Sequence, residues 1–231
     1  MPVKAPPVVV PFSWNGCYAG VNFGGLSHRL RHRLDVPAGT DNLAQTFETD
    51  GRRDPEFIVG GQIGCNYQFG SNWVVGLEGD INLTDARRDS RFDIFGGGED
   101  TVGSQSTRLR WLSTVRGRLG PTWGRAFLYV TGGLAIGKVE SSATAQTFVD
   151  VTTTFNGSVS QTRLGGVVGV GIEYAFTDRV SAKMEYLHFA LGSADYTVTG
   201  ALPTTLPPTW NASAKVSGDI FRAGINFKFL P

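Results

Sequence analysis

Three segments of this chain close on an aromatic, one intervening residue and a second aromatic: Tyr67-Gln68-Phe69, Tyr174-Ala175-Phe176 and Phe227-Lys228-Phe229. Each triplet ends a run in which apolar and polar or small residues alternate. Residues two apart on a strand share a face. Aromatic pairs at strand ends suit headgroup depth, where an apolar ring and a polar edge are both satisfied. The pattern predicts strands that cross a bilayer and pair into a closed transmembrane β-barrel.

Composition supports that reading and excludes others. Hydrophobic residues make up only 41% of 231 residues, Gly numbers 31 and the formal net charge is +1. No apolar run reaches the roughly 18 residues of a helical span. Barrel strands need only about 9–11 residues in lipid and carry polar residues on alternate positions, so low hydropathy is expected. The near-neutral balance argues against nucleic acid as a partner. The opening residues have neither the apolar core nor the cleavage site of a signal peptide, and we read them as a mature start behind Met1.

Residues 1–12, with four prolines, read as a flexible periplasmic lead, and 13–231 as one barrel domain. The fold class is all-β: an eight-stranded antiparallel transmembrane barrel. Its alternating segments run about 14–27, 55–69, 73–91, 107–120, 126–141, 161–176, 179–197 and 218–229. The connections at 70–72, 121–124 and 177–178 are tight turns, whereas 28–54, 92–106, 142–160 and 198–217 read as long loops. Short turns belong in the periplasm and long loops outside, which puts both termini on the periplasmic side.

Parity separates the two faces of each strand. Phe57, Val59, Ile63, Tyr67 and Phe69 share one face of the second segment, and Phe221, Ile225, Phe227 and Phe229 one face of the last. The opposite parity collects Glu78, Asp80, Arg110, Arg116, Arg118, Glu173, Lys183, Glu185, Arg222 and Lys228. Apolar-out and charged-in is the reverse of a soluble barrel. An eight-stranded lumen is just wide enough for side chains to fill, and charges there are tolerable when paired and hydrogen-bonded. We expect an interlocked ion-pair plug rather than catalytic carboxylates.

The blocks Trp14-Asn15-Gly16-Cys17-Tyr18-Ala19-Gly20-Val21-Asn22-Phe23-Gly24-Gly25, Gly60-Gly61-Gln62-Ile63-Gly64-Cys65-Asn66-Tyr67-Gln68-Phe69, Trp73-Val74-Val75-Gly76-Leu77-Glu78-Gly79-Asp80 and Tyr129-Val130-Thr131-Gly132-Gly133 together resemble the porin-like small outer-membrane proteins of alphaproteobacteria, OmpA-like eight-stranded barrels. The resemblance covers nearly everything after Pro11. It implies an abundant, surface-exposed protein of the Gram-negative outer membrane, with structural and host-interaction roles rather than enzymatic ones. It also implies peptidoglycan contact through the N-terminal lead, and recognition by the barrel-insertion machinery through a terminal aromatic. Here that aromatic, Phe229, is followed by Leu230 and Pro231.

Other candidate chemistry is sparse. Arg29, Arg31 and Arg33, with His28 and His32, adjoin Arg52, Arg53, Arg87 and Arg88 at the strand tops. They form either a contact for lipopolysaccharide phosphates or a solvated rim neutralised by interleaved aspartates. His188 has lipid-facing parity, opposite to that of Ser193, and no G-x-S-x-G elbow exists; an interfacial residue is expected rather than a lipid hydrolase. No spacing suggests a metal or cofactor site. Cys17 and Cys65 both fall outward near the periplasmic rim of adjacent strands, where directly opposed partners approach within disulfide range. They read as a disulfide, or as two small apolar side chains if barrel stagger offsets them. The function these features predict is a non-enzymatic envelope barrel that presents its surface loops. A small-solute or ion channel and a loop-borne adhesin or ligand binder are the alternatives.

Overall fold

The computed structural model describes residues 12–36, 45–52, 56–70, 72–96, 99–148, 153–199 and 209–230, with the outermost strand ends described by backbone pairing alone. Nine strands run through them: β1 (Gly16–Val36), β2 (Gln45–Arg52), β3 (Glu56–Phe69), β4 (Trp73–Gly96), β5 (Glu99–Trp123), β6 (Ala126–Phe148), β7 (Thr153–Ala175), β8 (Val180–Thr199) and β9 (Thr209–Leu230). All neighbours are antiparallel, and β9 returns to pair with β1 from Cys17 to Asp35. β2 pairs with the upper half of β1 and β3 with its lower half, on the same side. The nine strands therefore form eight staves of one closed barrel, and no edge is left along the membrane-spanning region.

The register sets the tilt. Following partners around the wall from Ala19 leads through Ile63, Gly79, Val115, Leu134, Gly166, Ala190 and Ser217 back to β1 at Arg29, ten residues along. An even stagger is required if inward residues are to meet inward residues at the closing seam, because side chains alternate with period two.

The alternation does what the sequence predicts through the lower barrel. Val21, Ile63, Leu77, Ile81, Val115, Val130, Leu134, Val168 and Ile225 are exposed on the outer surface. The outward ring at the end bearing the short turns is aromatic: Tyr67, Phe69, Trp73, Trp123, Tyr174, Phe176, Phe227 and Phe229 are all exposed. Gly70 and Gly124 take left-handed conformations at φ 60° and 57°, which is why these two turns carry glycine.

The long connections differ from expectation. Much of 28–54, 92–106, 142–160 and 198–217 is paired strand, so β4, β5, β6 and β7 reach 24, 25, 23 and 23 residues. That is about twice the 9–11 residues a bilayer requires. Alternation in the sequence fades above the membrane, while the backbone ladder continues without it.

Two glycines make room for rings in the lumen. A Cβ on Gly64 would lie 2.4 Å from the Tyr18 hydroxyl, and one on Gly171 would lie 2.4 Å from Cζ of Tyr129. Both tyrosines are buried. Gly171→Val should therefore displace the Tyr129 ring and cost about 1–3 kcal/mol. Urea unfolding of the refolded barrel measures this, and an unchanged midpoint would contradict the packing.

Candidate functional site

The lumen is stratified into three layers. At the periplasmic mouth Trp14, Val74, Phe127, Tyr129 and Ala175 form an apolar cluster, with Phe12 packed against it. Phe12 meets Trp14 edge to face at 5.1 Å between centroids. The Trp14 backbone N–H donates to Gln68 Oε1 at 2.9 Å, and its indole N–H donates to the Gly124 carbonyl at 3.3 Å. Phe12, taken from sequence as the end of a flexible lead, is thus docked in the mouth; residues 1–11 lie outside the described residues.

The middle layer is ionic. Glu78 receives Arg116 at 2.5 Å, Arg118 at 3.0 Å, Lys183 at 2.7 Å and the Tyr18 hydroxyl at 2.7 Å. Asp80 receives Arg222 at 2.9 Å, Arg116 at 3.1 Å and the Thr114 hydroxyl at 2.7 Å. Glu185 bridges Arg222 at 2.8 Å, Lys183 at 3.3 Å and Arg116 at 3.3 Å, and accepts from Tyr129 at 2.9 Å. Glu173 takes Arg118 at 2.9 Å, with Ser181 and Asn226 as further donors. Arg118 also lies 4.6 Å from the Tyr129 ring centre and 5.2 Å from those of Tyr18 and Phe127, tying this layer to the aromatic one below. An amide chain extends the network, Asn22 donating to Gln62 and Gln62 to Asn226, each at 2.7 Å.

Two residues assigned to this lumen are elsewhere. Arg110 is half-exposed outside the barrel and pairs with Glu140 at 2.7 Å. The cause is a β-bulge: Leu109 partners Val139 and Trp111 partners Lys138, so Arg110 is the extra residue and parity inverts across it. Lys228 donates to the Ser13 carbonyl at 2.9 Å and lies 5.2 Å from the Phe12 ring centre, holding the mouth segment instead of a carboxylate. Their departure leaves four cations, Arg116, Arg118, Lys183 and Arg222, for four carboxylates, Glu78, Asp80, Glu173 and Glu185. The network is charge-balanced, not basic.

Above it lies a layer that the sequence reading missed. Leu26, Ile58, Leu109, Leu112, Ala135, Val139, Val167, Leu187, Phe189, Leu191, Val216 and Ile220 form a buried apolar cluster inside the outer half of the barrel. The signal was present on β8, where one parity runs Ser181, Lys183, Glu185, Leu187, Phe189 and Leu191.

On the outer wall, His188 Nδ1 and the Tyr186 hydroxyl each lie 2.8 Å from Asp219 Oδ1. Cys17 and Cys65 are directly opposed, without stagger, and joined by a disulfide. Arg53 lies outside the described residues. So do the side chains of Arg29, Arg31, Arg33, Arg52, Arg87 and Arg88, whose backbones place Arg29 opposite Arg52 and Arg87 opposite Arg108. Among the described residues no cluster of His, Cys, Asp and Glu is arranged to hold a metal ion.

An outward-apolar, inward-charged closed barrel of eight staves with an aromatic girdle defines a transmembrane barrel of the Gram-negative outer membrane. The family model and the relatives in sequence agree. The family model described as "Outer membrane protein beta-barrel domain" matches residues 12–229, and the chain belongs to that family. The chain is 31% identical over 231 residues to the "31 kDa outer-membrane immunogenic protein" of Brucella melitensis, covering 99% of this chain and 88% of that one. It is 28% identical over 191 residues to the "22 kDa outer membrane protein" of Rhizobium leguminosarum bv. viciae, covering 82% and 70%. Among solved structures, the outer membrane protease OmpT of Escherichia coli aligns at 11% identity and a TM-score of 0.44, covering 96% of this chain and 99% of that one.

Two outcomes follow from the site. Glu78→Ala takes one carboxylate partner from each of Arg116, Arg118 and Lys183 and leaves the buried layer with one uncompensated positive charge, which should cost about 3–5 kcal/mol, the loss typical of a broken buried pair; unchanged heat-modified gel mobility together with an unchanged urea midpoint would contradict the network. An unreduced digest should yield a single linked peptide pair carrying Cys17 and Cys65, whereas two separately alkylated peptides would contradict the bond.

Proposed function

We propose that this outer-membrane barrel is a non-enzymatic envelope protein whose closed lumen is a structural bolt and whose outer strand ends form its working surface. The observation that carries this reading is the filled lumen: an aromatic cluster, a neutralised ionic layer and an apolar layer follow one another along the axis. A filled eight-stranded lumen supports a structural role over conduction. Glu78, Glu173, Asp80 and Glu185 are each committed to a cation. His188 faces out against Asp219, away from them. This arrangement favours stability over acid–base chemistry.

The partners are membrane lipid around the belt, lipopolysaccharide phosphates at the outer rim, peptidoglycan near the proline-rich lead at 1–12, and the barrel-insertion machinery during assembly. The docked Phe12 supports a fixed exit for the lead at the periplasmic mouth: Arg125 lies 4.9 Å and Lys228 5.2 Å from its ring centre.

Planar-bilayer recording of the purified, refolded protein tests the choice between bolt and channel. The bolt predicts a baseline without steady openings. A uniform ohmic step seen with each insertion event would overturn it in favour of a channel.

A further inference from the structure

The outer wall changes character at one rung of the ladder on three adjacent strands. Below that rung the outward residues of β5, β6 and β7 include Val115, Leu134, Ile136 and Leu164, all exposed and apolar. At the rung itself stand Trp111, Lys138 and Thr162, paired in register. The bulge turns Arg110 out beside them, and Glu140 follows two residues above Lys138 with Arg108 as its ladder partner. Trp111 is a residue favoured at a membrane interface. The rung is therefore the upper boundary of the hydrocarbon, and the cations above it stand at headgroup depth.

We propose that Arg110 and Lys138 form a binding site for a lipid-borne phosphate of the outer leaflet. The side chains of Arg110 and Lys138 are 50% and 40% exposed on the outside of the barrel. Glu140 gathers the two cations, at 2.7 Å from Arg110 Nε and 3.4 Å from Lys138 Nζ. Arg110 spends only Nε on this contact, and both terminal nitrogens remain to form the two-pronged grip that suits a phosphate. Arg110 and Lys138 against the one carboxylate of Glu140 leave the group positive, and at this depth the anions the membrane supplies are lipid headgroups. The long stems of Arg and Lys reach upward from the apolar belt to carry their charges there. This site rests on reading the chain as an outer-membrane barrel whose β5 and β6 rise toward the cell surface.

The test uses the full chain refolded into neutral phosphatidylcholine vesicles doped with diphosphorylated lipid A, with retained lipid counted by native mass spectrometry after extraction. Arg110→Ala with Lys138→Ala should lower lipid A retention about tenfold or more, as expected for lost charge-assisted hydrogen bonds. Glu140→Gln, which removes the competing carboxylate, should raise it. Dephosphorylated lipid A should bind the unmodified chain no better than diphosphorylated lipid A binds the double variant. Equal retention by the double variant and the unmodified chain would overturn the site. Displacement of lipid A by an equal concentration of inorganic phosphate would assign the cluster to free phosphate and overturn the lipid reading. These side chains are on the surface, and heat-modified gel mobility reports separately on the barrel. A chain that never acquires that mobility in vesicles defeats the membrane reading itself, and an intact barrel indifferent to the two cations defeats only the site.

Discussion

Eight charged groups share the middle of this barrel, and an ion taken alone from water into such a place costs several kcal/mol even after relaxation. Their mutual arrangement removes that obstacle. Glu78 alone gathers Arg116, Arg118 and Lys183, and Arg222 links Asp80 to Glu185. Each carboxylate is supplied from more than one strand, so none of β4, β5, β7, β8 and β9 can shift without uncovering a charge. Hydroxyl and amide donors from Tyr18, Thr114, Tyr129, Ser181 and Asn226 take up further lone pairs. A network satisfied in this way fixes the register of β4, β5, β7, β8 and β9 from inside, while the disulfide fixes β1 against β3 from outside.

The layers around the network serve it. Apolar side chains above and aromatic rings below keep bulk water from the ionic layer, where a low dielectric strengthens each pairing and makes each omission costly. Arg118 shows the dependence most clearly: it bonds Glu78 and Glu173 and faces three aromatic rings. The outer surface has a simpler task. Its residues are chosen by lipid depth: aromatic at the periplasmic edge and aliphatic through the hydrocarbon.

Much of this was legible in the sequence because period two links every inward residue to every other on its strand. Glu78 with Asp80, Arg116 with Arg118 and Lys183 with Glu185 each sit two apart, and parity alone put them inside. The same rule failed at Arg110, since a bulge inverts parity and no residue there announces one. It misplaced Lys228 for another reason: at the strand end the inward direction opens onto the mouth, where Ser13 and Phe12 compete for the ammonium. The upper strands were hidden because pairing above the membrane needs no alternation. The apolar layer was visible on β8, yet the expectation of a polar lumen drew attention to the charges and away from Leu187, Phe189 and Leu191.

The dependence of the barrel on its ionic layer is most directly measured by a double-mutant cycle at Arg118 and Glu173, read by equilibrium urea unfolding in lipid vesicles. If the layer behaves as one neutral unit, Arg118→Ala and Glu173→Ala each destabilise by about 3–5 kcal/mol. The double variant then falls short of their sum by about 2 kcal/mol or more, since neither partner is left charged and alone. Losses that simply add would mean the two groups do not depend on one another, and would contradict the account.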